Sequence, residues 1–169
     1  PLYSSAASDV YKRQTFSSLV IRGYESALAA VTVLTAYIPM LTDAGGNAGS
    51  QSTSTIIRSM AVGDIAPHDL PRIIWRECRV ALMCGVTLAV CNFFKMLLLD
   101  RIAAPVALAV CVTLIFTVLL SQLIGVLLPV IAEKFKIDPA VMASPLITTI
   151  VDTTTLLIYF NVAKMVLHI

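Results

Sequence analysis

Two aspartates at apolar depth carry the chemistry that this sequence offers. Asp152 lies near the middle of the run "VMASPLITTIVDTTTLLIYFNVAKMVL" (Val141 to Leu167). An ionised side chain at the centre of a bilayer-crossing helix costs at least ~2.5–3.5 kcal/mol on insertion scales. Its own segment has no cation within a helical turn, Lys164 being three turns away. Ser144, Thr148, Thr155 and Tyr159 fall around Asp152 at steps of four, four, three and four, one polar stripe on an otherwise apolar helix. In the bland alternative these hydroxyls bond their own helix's carbonyls and the acid stays neutral. A stripe that faces a wet cavity or an ion path accounts better for the aspartate.

Asp43 opens the second constellation, "TDAGGNAGSQSTST" (Thr42 to Thr55), directly after the apolar run Ala27 to Leu41. Read as a helix, the stretch puts Asp43, Asn47, Gln51 and Ser54 on one face that ends at Arg58. Gly45 and Gly49 form a small-xxx-small pair suited to close helix packing, and the Gly45-Gly46 pair makes local unwinding easy. A surface turn is the bland alternative, but the preceding run would then be too short to span. The donors are all oxygens, with no His or Cys among them, which suits a hard cation such as Mg²⁺, Ca²⁺ or Mn²⁺. Few carboxylates fit Mg²⁺, which keeps several waters, better than a calcium cage.

The elements that position these groups are helices in a membrane. Of 169 residues, 58% are hydrophobic and 13% charged, against about 25% charged in soluble domains. The net charge of +2, with no basic cluster interleaved with exposed aromatics, argues against nucleic acid. Runs at Val80–Leu99, Ile102–Ala132 and Val141–Leu167 reach the roughly 20 residues that a span needs. The run from Ala27 spans only if it continues through Thr42–Thr55, and Phe16–Glu25 reads as the tail of an earlier helix. The expected fold is an all-α membrane protein, a polytopic bundle of four full transmembrane helices and a truncated first one. Residues 1–14 ("PLYSSAASDVYKRQ") read as a foreign leader outside the fold, leaving 15–169 as the membrane domain and the chain as a fragment.

Basic residues set the orientation. Arg58, Arg72, Arg76 and Arg79 precede the second full helix, and Lys134 and Lys136 follow the third, against Arg101 alone between them. Those two loops are expected in the cytoplasm and the C-terminus outside. Residues 64–79 read as an interfacial segment anchored by Trp75, with two prolines that open short helices. The four cysteines read as small apolar helix residues. Pro39, Pro129 and Pro145 read as kinks, Asn92 and Gln122 as interhelical hydrogen-bond partners, and Lys95 as a snorkelling lysine.

"IPMLTDAGGNAGSQSTSTIIRSMAVGDI" (Ile38 to Ile65) together with "DPAVMASPLITTIVDTTTLLIYFNVAK" (Asp138 to Lys164) resembles the membrane domain of the bacterial MgtE magnesium channel family. The resemblance runs from about Phe16 to His168. It implies a homodimeric, multi-pass inner-membrane channel, not an enzyme, with Mg²⁺ as its ion, a pore between two copies of the chain and the lipid bilayer around it. By the same resemblance Asp152 is the pore ligand, Thr148 contributes its backbone carbonyl, and Asn47 with Gly45 and Gly46 lines the pore. Asp43 follows as a second acid and Glu25 as an acid at the outer mouth. Gln51, Ser144, Thr149 and Thr155 complete the expected lining. Family members close the pore with upstream cytoplasmic domains. Without those the chain reads as unable to sense Mg²⁺ that way. Two alternatives stand beside this reading. One is a cation-coupled divalent metal exchanger. The other is an intramembrane aspartyl protease, whose YD and GxGD patterns Thr42-Asp43 and Val151-Asp152 do not match.

Overall fold

A computed structural model describes residues 2–23, 32–64, 69–139 and 145–167. Five helices account for almost all of them: α1 (Leu2–Gly23), α2 (Val33–Ala61), α3 (Leu70–Leu98), α4 (Ala104–Lys134) and α5 (Pro145–Leu167). No strand occurs among the described residues. The protein is an all-α helical bundle.

Helices α3, α4 and the Leu146–Leu167 part of α5 are long and apolar enough to cross a membrane. Helix α2 matches α3 at 29 residues, about 43 Å at 1.5 Å per residue, which exceeds a hydrocarbon core of about 30 Å. Its polar second half keeps it below the hydropathy of the other three. The continuation through Thr42–Thr55 is therefore helical throughout. Gly45 and Gly46 stay helical too, so the expected ease of unwinding is not used there.

Two expectations change in detail. Residues 70–79 are not a separate interfacial segment but the first turns of α3, with Pro71 at the helix start where its missing N–H costs nothing. Pro145 begins α5 rather than kinking it, whereas Pro39 and Pro129 do lie inside helices. Helix α1 passes without a break through the compositional boundary at Thr15.

Helix α4 sits in the middle, packed by α2, α3 and α5, while α2 also meets α5 and α1 lies against α5. One apolar cluster joins Leu34 and Leu41 of α2, Met96 of α3, Val110 of α4 and Phe160 of α5. A smaller one joins Ile56, Ile73 and Val126 towards the other end. Lipid removes the hydrophobic drive between helices, so close contact relies on small residues. Glycines supply it here. A Cβ on Gly125 of α4 would stand 2.5 Å from the Gly49 carbonyl oxygen of α2, and one on Gly85 of α3 would stand 3.3 Å from Ile115 Cα.

Two polar ties close the Tyr37 end of the bundle. Tyr159 Oη of α5 donates to the Leu34 carbonyl of α2 at 2.9 Å. Tyr37 Oη donates to Asp100 Oδ2 at 2.8 Å, and Lys95 Nζ donates to the same oxygen at 2.8 Å. Asp100 lies in the turn between α3 and α4, beside Arg101 with its φ of 52°. The ammonium of Lys95, then the Tyr37 hydroxyl, hold the Asp100 carboxyl below the usual carboxylate range.

Candidate cation pathway

The polar face expected on α2 is present and lies open. Asp43, Asn47, Gln51, Ser54 and Arg58 are all exposed along one side of the helix. Asn47 Nδ2 donates to Asp43 Oδ2 at 3.2 Å across one helical turn. Ser54 bonds its own backbone, donating to the Ser50 carbonyl at 2.9 Å. The opposite side is packed. A Cβ on Gly45 would stand 2.7 Å from Thr117 Cγ2 and 2.8 Å from Val151 Cγ1, distances that real Cβ atoms do not adopt. Gly49 faces Val151, Ile147 and the Ser121 carbonyl, and Gly46 faces Thr148 Cγ2 at 3.7 Å.

These glycines bring α5 against α2 at Ile147, Thr148 and Val151, so Asp152 follows directly on a contact residue. Asp152 is only 4% exposed and Thr155 only 1%, whereas Thr148 and Thr149 are half-buried. None of Asp152, Thr148 and Thr149 is without a partner. Within the chain Asp152 is thus an interior acid, and the open polar surface belongs to α2. Back-bonding to the helix's own carbonyls is seen for two threonines beside the stripe rather than on it. Thr153 and Thr154 donate to the Thr149 and Ile150 carbonyls of their own helix, at 2.8 and 2.7 Å. Tyr159 is used as the tie to α2. Glu25 and Ser144 lie outside the described residues.

Sequence reasoning missed Glu77. This α3 residue is 9% exposed, accepts from Ser52 Oγ of α2 at 3.3 Å through Oε2, and pairs with Arg76 at 3.2 Å through Oε1. Ile73, Glu77, Ala81, Gly85 and Ala89 are all buried at steps of four, a face that becomes legible once α3 starts at Leu70. Nearby on α2, Thr53 Oγ1 lies 2.9 Å from the Gly49 carbonyl and 3.1 Å from the Gly125 carbonyl of α4. Gln122, expected as an interhelical partner, has its side-chain carbonyl oxygen buried without a hydrogen bond among the described residues, as is Thr117 Oγ1. The four cysteines are free, and buried Cys111 donates to the Ala89 carbonyl at 3.2 Å.

The described residues thus hold a buried acid on α5, a glycine-packed contact between α2 and α5, and an exposed polar face on α2. The model of the MgtE family, described as a divalent cation transporter, matches residues 38–162 of this chain, from before Asp43 to beyond Asp152. The chain belongs to the MgtE family.

Curated members bear this out along most of the sequence. The magnesium transporter MgtE of Thermus thermophilus is 37% identical over 156 residues, which cover 90% of this chain and 33% of that protein. The MgtE of Bacillus subtilis is 32% identical over 154 residues, covering 90% of this chain and 34% of that protein. The Enterococcus faecalis MgtE is 32% identical over 148 residues, covering 86% and 32%. This MgtE-family chain therefore spans about a third of the length of the relatives it matches. A family of transporters supports reading the chain as a multi-pass membrane protein and not as an enzyme.

Proposed function

We propose that this chain is the pore-forming membrane part of a magnesium transporter, and that two copies face each other across the open side of α2. The observation that carries this reading is the exposed row Asp43, Asn47, Gln51, Ser54 and Arg58 on a helix long enough to cross the bilayer. Hydrocarbon cannot solvate such a face, so it needs water or protein against it. A second copy with a hydrated path between the two faces supplies both.

In this reading Mg²⁺ is the cargo, attracted by the carboxylates of Asp152 and Asp43 and moved with most of its water retained. The neutral oxygens of Asn47, Gln51, Thr148, Thr149 and Thr155, with Ser144, line its way, and Glu25 stands at the outer mouth. In this reading Asp152, covered within the single chain, meets that path where α5 packs against α2 at Gly45 and Gly46. A membrane potential drives the divalent ion by ~4.6 kcal/mol per 100 mV, twice the single-charge value. Site binding stays weak enough for release because the ion keeps its hydration shell. The names of the curated relatives support Mg²⁺ as cargo, and their bacterial sources support the inner (plasma) membrane as location. The arginines of α3 and the lysines at the end of α4 support a cytoplasmic position for those ends and an outer C-terminus. In this reading residues 1–14 are a leader outside the pore domain, joined to it through the unbroken helix α1.

Mg²⁺ uptake into liposomes tests the reading, with wild-type chain compared with Asp152→Asn and Asp152→Ala. Uptake at least ten-fold lower in both, with dimers and helicity retained, is the expected result; wild-type uptake in both overturns it. A coupled exchanger instead predicts uptake that vanishes when Na⁺ and proton gradients are collapsed and the voltage is kept.

A further inference from the structure

The outer face of α3 carries a stripe that changes character along its length. Arg72, Trp75, Arg76 and Arg79 are followed by Leu82, Met83, Val86 and Val90, all exposed and all within about a third of the helix circumference at 3.6 residues per turn. Met83 is 72% exposed and Trp75 65%. The opposite face, with Ile73, Glu77, Ala81 and Gly85, is the one buried against the bundle.

Depth explains the change of character. Counting back from Leu98, the roughly 20 residues that fill a hydrocarbon core end at Arg79. Arg72 to Arg79 then lie in the headgroup layer, where Trp75 is also at home. From Arg79 to Val90 the helix rises about 16 Å, close to the depth of one leaflet. The arginines have little protein to answer them. Arg72, 87% exposed at its side chain, meets Asp69 at 3.6 Å, and Arg76 meets Glu77 at 3.2 Å. Arg79 has no ion-pair partner among the described residues.

We propose that this stripe is a docking surface for an anionic diacyl phospholipid. The headgroup phosphate is held by the guanidinium groups of Arg72, Arg76 and Arg79, and the chains lie along Leu82, Met83 and Val86. Guanidinium suits a phosphate because its planar fork can donate two parallel hydrogen bonds. Charge and an apolar track in register, one leaflet long, favour a lipid over a soluble polyanion. The inference is independent of which ion the chain conducts.

The full chain in nanodiscs of POPC alone or of POPC with one third POPG tests it, read by native mass spectrometry of retained lipid and by thermal unfolding. Wild type is expected to retain POPG with on the order of ten-fold preference or more over POPC, since each arginine near an anionic surface adds to the attraction. Arg72→Gln/Arg76→Gln/Arg79→Gln brings that preference close to one and removes the POPG-dependent rise in melting temperature. The corresponding triple lysine variant retains most of both, which separates lost charge from lost fold. Lys134→Gln/Lys136→Gln, a control at the end of α4, retains most of both, which separates the stripe from the general attraction of basic residues to an anionic surface. A triple glutamine variant with undiminished POPG preference overturns the proposal. So does stabilisation by a poly-glutamate peptide in pure POPC as large as that by POPG, which assigns the stripe to an acidic polypeptide.

Discussion

Gly45 of α2 meets Val151 of α5 so closely that a methyl group on the glycine would stand 2.8 Å from Val151 Cγ1. This contact sets how near Asp152, the next residue, comes to the polar helix. Its sensitivity to volume can be measured. Gly45→Ala and Gly125→Ala are expected to destabilise by about 1–3 kcal/mol, the usual cost of overpacking. The second meets the unyielding Gly49 carbonyl at 2.5 Å. Gly46→Ala, with only Thr148 Cγ2 at 3.7 Å, is expected to be neutral or to gain up to about 1 kcal/mol from helix propensity. Thermal unfolding in micelles ranks the three.

Asp43 and Asn47 share a hydrogen bond on the open side of α2. Asp43→Asn keeps that bond's geometry and removes a charge. Mg²⁺ uptake into liposomes is expected to fall several-fold at low salt and less at about 0.5 M monovalent salt, because an exposed charge attracts over little more than a Debye length. Equal losses at both ionic strengths would assign Asp43 a packing role.

Acid is expected to loosen the Tyr37 end of the bundle. The Asp100 carboxyl is held below its ordinary value by Lys95 and Tyr37. A depressed folded-state value means that the carboxylate's contribution is fully present above the unfolded value of about 3.9 and is lost as pH falls through the lower folded one. Melting temperature is therefore flat with respect to this group from pH 7 to 5 and declines below about pH 4. Asp100→Asn removes that component of the decline. Tyr37→Phe, which deletes one of the bonds to the carboxylate, brings the folded value closer to the unfolded one and makes that decline smaller, with its onset unchanged.

Ser52→Ala leaves the buried Glu77 with Arg76 as its remaining hydrogen-bond partner among the described residues. Loss of a hydrogen bond to a charged acceptor costs about 1–3 kcal/mol. Chemical unfolding of the variant measures it. A Ser52→Ala/Glu77→Gln pair is expected to show non-additive losses, because both substitutions act on one interaction.

What the sequence by itself determined was the material of the bundle and the residues able to do chemistry in it. Composition imposes the membrane, because 13% charge leaves no soluble surface. Run length imposes helices, because only they satisfy every backbone group within one segment. The oxygen stripe of α2 was legible from steps of three and four, since a helix face is a local property. Asp152 was legible as an anomaly of burial. The tertiary structure alone decided which faces are covered. Gly45, Gly49 and Gly125 read as small residues, but contacts across helices make α4 the hub and turn Asp152 inward while leaving Asn47 outside. Glu77 escaped notice because its partner Ser52 lies 25 residues away on another helix. Its burial also depends on α3 beginning ten residues before the apolar run. Local spacing shows what a helix can present, and only packing between helices decides what it does present.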